Sequence, residues 1–517
     1  MTTIIQETFC LAIMGLLCGT VCAADVSPAQ EPEALPLQNS VSQYGITWKF
    51  DQEVRVGKFI NGDWYVVGPV TVTAIDPAPK PGRNGSMLNP RQNAESDKSA
   101  YDNREGSGGW YYDAKLAVTL PIRLTPGDSL VSTASYEEGG TANHKDTPIP
   151  GAEGWIRTAA VLTCLPSPVP ADTFRPSYAG KQPPSYRFSN LHLDLLPKLD
   201  PPASAPKLDI YGRIFERPWL DHVYGWGSRH VHPVENMPSW GADLAKTVSQ
   251  GALLLMCNHP LEEKKKLLVG FLQYGIDLWG VVQAGGKGWP AEGGYGLGRK
   301  WPILFAGILF QDEAMQHPKA EFDEDEHTAF GKCWTGAWVV WTGQAPIFYK
   351  QDPKRYRDRG PYEHLPPDQW GFDKTITKLP AGVRRSQLPG RMGDGYRRSC
   401  SPSYPGQALA ARLMKAEKIW NHDAFFAYAD RWMCEDETEF AKAIVKALMV
   451  EGVPELNYQL NLQGETRIPF VDDMWAKYRT MPGMPPTDEW KKEHKAGAAA
   501  KPRDQDQRGL AAMLGMD

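Results

Sequence analysis

Five side chains in this sequence have the types needed to take a proton from carbon. They are Asn258 and His259 in LLLMCNHP, His327 in EDEHT, and Arg398 and Tyr404 in YRRSCSPSYPGQALAARLM. An amide, two imidazoles, a guanidinium and a phenol suffice to neutralise a carboxylate, remove the proton beside it and protonate a departing oxygen. Losing a hydrogen α to a carboxylate leaves an enolate-like dianion, so the clamp on the carboxylate matters as much as the base. C5 of a uronic acid is such a carbon, and O4 is the oxygen that leaves. In this scheme Asn258 and His259 donate hydrogen bonds to the carboxylate. Tyr404 removes the proton and returns it to O4, provided both lie on one face of the sugar. A free phenol has a pKa of about 10, so the positive charge of Arg397 and Arg398 must favour its ionised form. His327 is a second base, or the base for elimination from the opposite face.

Each residue also has a plainer role. Asn258 and Pro260 both favour the end of a helix, His327 follows an acidic run of the kind usually solvated, and Tyr404 between prolines suits the start of a helix. The segment GGKGWPAEGGYGLGRKWPILFAG brings Trp289, Tyr295, Arg299 and Lys300 to the start of a helix. It matches neither the P-loop nor the dinucleotide pattern, so these four, with Arg397, are expected to line a saccharide groove, tight backbone packing being the alternative. His230 and His232 without a third partner do not define a metal site, and His222 is equally uncommitted. No metal or other cofactor is expected.

These residues must be held by elements of two kinds. Residues 44–196 carry short β-prone runs, ITWKF, YVVGPVTVTAI, KLAVTLPIRL, SLVSTASY and TAAVLTCL, separated by turn residues. That texture predicts an antiparallel β-sandwich. Residues 197–213 read as a Pro-rich linker. From 214 to 490 the period becomes helical, as in ADLAKTVSQGALLLMC, KKKLLVGFLQYGIDLWGVVQA and HDAFFAYADRWM. Several of these segments are apolar nearly all round, which predicts helices covered on both sides, as in an α/α toroid whose loops line a groove at one rim. The Pro- and Arg-rich residues 348–397 would wall that groove.

Residues 1–24 end an apolar stretch in small residues and read as a signal peptide, followed by a linker over 25–43; a secreted or periplasmic protein without a membrane span is expected. Residues 491–517 read as a flexible tail. A formal charge of -5 over 517 residues argues against nucleic acid as a partner, so an anionic polysaccharide must be met by locally placed Arg and Lys. The 18 Trp and 20 Tyr, many near Gly and Pro, are compatible with sugar-stacking surfaces. Five cysteines remain beyond the signal, Cys164, Cys257, Cys333, Cys400 and Cys434, and are expected to be mostly buried thiols.

On the Asn258-His259 pair, the middle His327, and Arg398 followed by Tyr404, the chain resembles the α/α-toroid polysaccharide lyases acting on alginate or glucuronan. The helical half is most similar to polysaccharide lyase family 38. The resemblance covers residues 214–478 and implies β-elimination on a 1,4-linked uronate polymer, with Tyr404 as acid and Tyr404 or His327 as base. Two departures stand out: the β-rich N-terminal region and the long insertion before Arg398. The competing reading is a glycoside hydrolase on the same scaffold, with a carboxylate pair drawn from Asp277, Glu292, Asp325 and Glu326. A non-catalytic saccharide-binding protein is a third.

Overall fold

Thirteen residues of strand run from Ile46 to Lys58, and this length shapes the N-terminal half of the molecule. The computed structural model describes residues 35–92, 98–106, 110–137, 148–149, 154–326, 328–330, 339–340, 399–434 and 466–485. The first of these ranges opens with β1 (Leu37–Gln43), β2 (Ile46–Lys58), β3 (Trp64–Val67) and β4 (Val70–Asp76). Then come β5 (Ser86–Leu88), β6 (Ile122–Leu124), β7 (Ser129–Ser135) and β8 (Ile156–Leu165). All eight join one sheet in the order β5-β7-β8-β3-β2-β4-β6, with β1 also paired to β2.

The sequence predicts an antiparallel sandwich; the structure has a single curled, mixed sheet, in which β3 and β8 run parallel. The physical reason lies in β2. Its first part pairs with β4 and its last three residues with β3, and its register against β4 shifts between Lys49 and Phe50. A bulge of this kind bends a strand and increases its twist, so one sheet curls round instead of splitting into two. Val70, Val72, Ile75 and Leu124 from one half then meet Leu130, Ala160, Leu162 and Cys164 from the other, round Trp48. The Trp48 indole closes the curl by donating to Ser132 Oγ at 3.0 Å.

Alternation along β7 and β8 sends Val131, Ala159 and Val161 to the opposite face, where they join the core of the helical region. These two strands are therefore buried on both sides, and β8 reads IRTAAVLTCL, with little polar alternation. A further tie is the turn between β1 and β2. Tyr44 and Gly45 both have positive φ, 51° and 78°, as a two-residue primed turn requires. The Tyr44 ring lies under the Arg217 guanidinium, 4.6 Å away, and its hydroxyl donates to the Glu216 carbonyl.

The helical region comprises α1 (Leu208–Ile214), α2 (Gly241–Met256), α3 (Leu261–Gln283), α4 (Lys300–Phe310), α5 (Glu313–Gln316) and α6 (Asp323–Glu326). Beyond these lie α7 (Tyr404–Leu413), α8 (Glu417–Trp420), α9 (Asp423–Cys434) and α10 (Pro469–Tyr478). As the periodicity predicts, α2 is covered nearly all round, by α3 on one side and by α7 and α10 on the other. Residues 197–213 carry α1, which packs on α3, and Leu199, which bridges to Cys257. Sheet and helices belong to one unit, whose largest core runs through both.

A buried guanidinium pins the two together. Arg175 places one nitrogen 2.6 Å from Asp63, in the turn before β3, and another 2.6 Å from Asp277 in α3. Charges so enclosed are tolerated only when paired on all sides. Of the cysteines among the described residues, Cys164, Cys257 and Cys400 are buried thiols and Cys434 is half-buried. Among the same residues, no helix is long and apolar enough to cross a membrane. Residues 1–24, 348–397 and 491–517, and with them the expected signal, groove wall and tail, lie outside the described residues, as does Cys333.

Candidate functional site

Helix α2 separates the residues singled out from sequence. At its C-terminal end, Cys257 is extended and pairs with Leu199, and the Asn258 amide N–H donates to the Leu199 carbonyl at 2.7 Å. The Asn258 side chain is exposed, while His259 keeps a buried Nε2 that has no hydrogen-bond partner. Lys264 reaches back to donate to the Leu255 and Cys257 carbonyls, satisfying the open end of the helix. Lys198 and Lys477 are exposed at the same end, and Lys477 donates to the Asp200 carbonyl. The exposed Asn258 amide and the Lys198 and Lys477 ammonium groups, Lys477 shared with Asp200, form a surface suited to a carboxylate, with the open His259 nitrogen just beneath it.

Tyr404 lies elsewhere along the helix. Its neighbour Ser403 accepts a hydrogen bond from Ser249 Oγ. Ser249 lies seven residues before the end of α2 at Met256, about 10 Å of helical rise short of the Asn258 end. The Tyr404 ring is 0 % exposed and packs on Phe425 and Tyr428. Ser401 bonds the Tyr428 hydroxyl at 2.7 Å, and His422, three residues before Phe425, has its Nε2 2.8 Å from Thr328 Oγ1. The structure thus gathers Tyr404, His422 and the neighbours of residue 327 on one side, with Asn258 and His259 at the far end of α2. His327, Arg397 and Arg398 lie outside the described residues.

The glycine-rich segment has a different fate. Trp289 is buried, and its indole donates to the Asp221 carbonyl. Arg299, 1 % exposed, pairs with Asp221 at 2.7 Å and donates to the Tyr295 and Leu297 carbonyls. The second Asp221 carboxylate oxygen accepts from the Tyr274 hydroxyl at 2.7 Å. Lys300 is buried against Asp325 and over the Trp420 ring. Tyr295 is half-buried, edge-on to Trp240. These side chains, expected in a groove, are therefore largely spent on the protein's own interior.

What holds them is the acidic run, and sequence reasoning missed this pairing. Helix α6 turns its carboxylates onto the glycine-rich backbone: Glu326 accepts from the Ala291 amide, Asp323 from Gly296 and Glu324 from Gly298. Asp325 takes Lys300 and, on its other oxygen, the Trp420 indole. A Cβ at Gly298, where φ is +90°, would lie 2.7 Å from the Ala245 Cα of α2. Only glycine permits so close an approach. Glu324 is fully enclosed, and burial, followed by the neighbouring Asp323, pushes its pKa up to about 8. Its second oxygen has no partner. Asp221, too, carried a sequence signal: an aspartate inside the apolar WLDHV must be paired if buried.

Histidine chemistry is muted nearby. His222 is wedged edge-on between Tyr101 and Tyr178, and burial pulls its pKa down to about 3. Of the hydrolase candidates, Asp277 is bound to Arg175 and Asp325 to Lys300, while Glu326 accepts a backbone amide. Among the described residues, no group of three or more His, Cys, Asp and Glu is placed to hold a metal ion.

No protein-family model matches the chain, and neither a curated protein nor a solved structure matches it.

Proposed function

We propose that this protein cleaves a 1,4-linked uronate polymer, of alginate or glucuronan type, by β-elimination. The observation that carries the reading is the C-terminal end of α2. There an exposed Asn258 amide, a His259 nitrogen without a partner and the ammonium groups of Lys198 and Lys477 stand together. An unpartnered buried nitrogen is a cost to the folded protein, and one that a bound carboxylate can repay. In the proposed reaction Asn258 and His259 neutralise the carboxylate. The C5 proton passes to a base, His327 in this scheme, the C4–O4 bond breaks as the C4=C5 double bond forms, and O4 takes a proton from water. Tyr404, enclosed and part-way along α2, does not reach the sugar that Asn258 and His259 hold. Arg398 holds the chain. The reading takes the helical region as an incomplete α/α toroid and the protein as exported to the periplasm or beyond.

Incubation of the purified protein with polymannuronate, polyguluronate, glucuronan and hyaluronan tests it. Ultraviolet absorbance reports the new double bond conjugated to the carboxylate. A rise with one polymer, lost in Asn258→Ala with the fold intact, is the expected result. New reducing ends without absorbance would replace elimination with hydrolysis, and silence in both would remove the enzymatic reading.

A further inference from the structure

A second surface, built from neither α2 nor α6, gathers aromatic rings, two of them exposed indoles. Tyr111 and His230 stack face to face, with centroids 4.7 Å apart and planes 14° from parallel. Trp226 meets both edge-on, at 5.7 Å and 5.6 Å. The Tyr111 ring rests on Gly106, where a Cβ would lie 2.3 Å from it, and its carbonyl accepts from the Ser99 amide. The pair is thus fixed from below while two indoles face outward: Trp226 is 43 % exposed, and Trp110, next to Tyr111 in the chain, is 76 % exposed. Large aromatics left in water on a rigid base are unusual unless something covers them.

We propose that Trp110 and Trp226 form a saccharide-binding site that takes pyranose residues of an acidic polymer. A pyranose offers a flat C–H face to an indole and hydroxyls to the polar groups around it, the combination of apolar body and polar rim that such a ligand site requires. The rim is present. Lys287 is exposed with its ammonium 4.3 Å from the Tyr224 ring centre, Arg229 is exposed beside His230, the Glu292 carboxylate lies at Gly225, and Asp113 follows Tyr111 by two residues. His230 keeps Nε2 without a partner, and burial, aided by the charges of Arg229 and His232, draws its pKa down to about 4. A neutral ring stacks on Tyr111 with less desolvation cost than an imidazolium. The choice of an acidic polymer rests on the function proposed above; the aromatic surface itself does not.

Affinity electrophoresis of the full chain through gels carrying polyuronate or a neutral β-glucan tests the site without requiring turnover. Retardation by polyuronate is expected, with binding weakened about tenfold by Trp110→Ala and again by Trp226→Ala, a usual loss for an aromatic anchor. Trp226→Phe, which keeps a ring against Tyr111, should retain part of the affinity. If Trp226→Ala unfolds, Trp110→Ala decides alone, because its side chain lies mostly in water. Equal retardation of wild type and variants overturns the proposal, as does an absence of retardation in every gel. Self-association in analytical ultracentrifugation that disappears in the variants would assign the surface to a second copy of this chain instead. Retardation without ultraviolet product would leave this site standing and sink the lyase reading; product formation insensitive to both indoles would do the reverse.

Discussion

The two ends of α2 use the same residue types to opposite effect. At the N-terminal end, Arg299, Lys300, Asp221 and the four carboxylates of α6 are bonded to one another or to the glycine-rich backbone, and the Gly298 backbone lies against Ala245. At the C-terminal end, Asn258 is exposed, His259 has an open nitrogen, and only Lys264 is turned inward to cap the helix. Charge and aromaticity therefore do not by themselves mark a site. What distinguishes the ends is access: Glu324 and Arg299 each keep one atom without a partner but are enclosed, whereas Asn258, Lys198 and Lys477 stand at the surface. The sealed end can stabilise the fold without contributing to catalysis, while the open end has donors left for a ligand.

The sharpest way to break this contrast is Arg299→Met. Removing one partner of a buried pair leaves Asp221 charged and unpaired, which costs about 3–5 kcal/mol. Chemical denaturation should show that loss; unchanged stability with weakened polymer binding would make Arg299 a groove residue after all. Glu324→Gln is next. The carboxyl's folded pKa of about 8 lies above its ordinary value of 4.5, so the folded protein retains a proton that the unfolded chain has released. Its stabilising contribution is full below pH 4.5 and is lost as pH rises toward 8, by up to about 1.4 kcal/mol per pH unit. The melting temperature of the neutral variant should therefore gain on wild type steadily from pH 5 to pH 8, and a flat difference would contradict the enclosed carboxyl. Gly298→Ala follows, expected to cost about 1–3 kcal/mol because its new methyl meets α2 backbone. A shift below about 0.5 kcal/mol would show that the loop is not wedged against α2.

These contrasts also mark where the sequence was legible. The all-round apolar character of GADLAKTVSQGALLLM correctly signalled a helix covered on both sides, because burial of that kind is written in composition. The strands were visible in SLVSTAS and IRTAAVLTCL, but their arrangement was not. A curled mixed sheet depends on a register shift at Lys49 and on the parallel approach of β8 to β3, and neither leaves a local pattern. EFDEDE looked solvated because nothing near it in sequence offers donors. Its partners, Ala291, Gly296, Gly298 and Lys300, lie some 25 to 35 residues upstream. Asn258 and His259 were selected for their chemistry and their place at a helix end, and that helix end is where the structure has them.

The smallest expected change in stability gives the most information about function. Asn258→Ala removes an exposed amide but keeps the backbone N–H that bonds Leu199, so unfolding free energy should move by no more than about 0.5 kcal/mol. If the side chain clamps a substrate carboxylate, elimination should fall about a hundredfold or more, as for the loss of one donor to a developing oxyanion. The loss should be in kcat as well as kcat/KM, because the carboxylate gains charge only as C5 is deprotonated. A stability loss above about 1 kcal/mol with unchanged turnover would instead make Asn258 a helix terminator, its amide serving the chain reversal at Pro260. One outcome lowers turnover and leaves stability, the other lowers stability and leaves turnover, so a single variant separates a residue kept for folding from one kept for substrate.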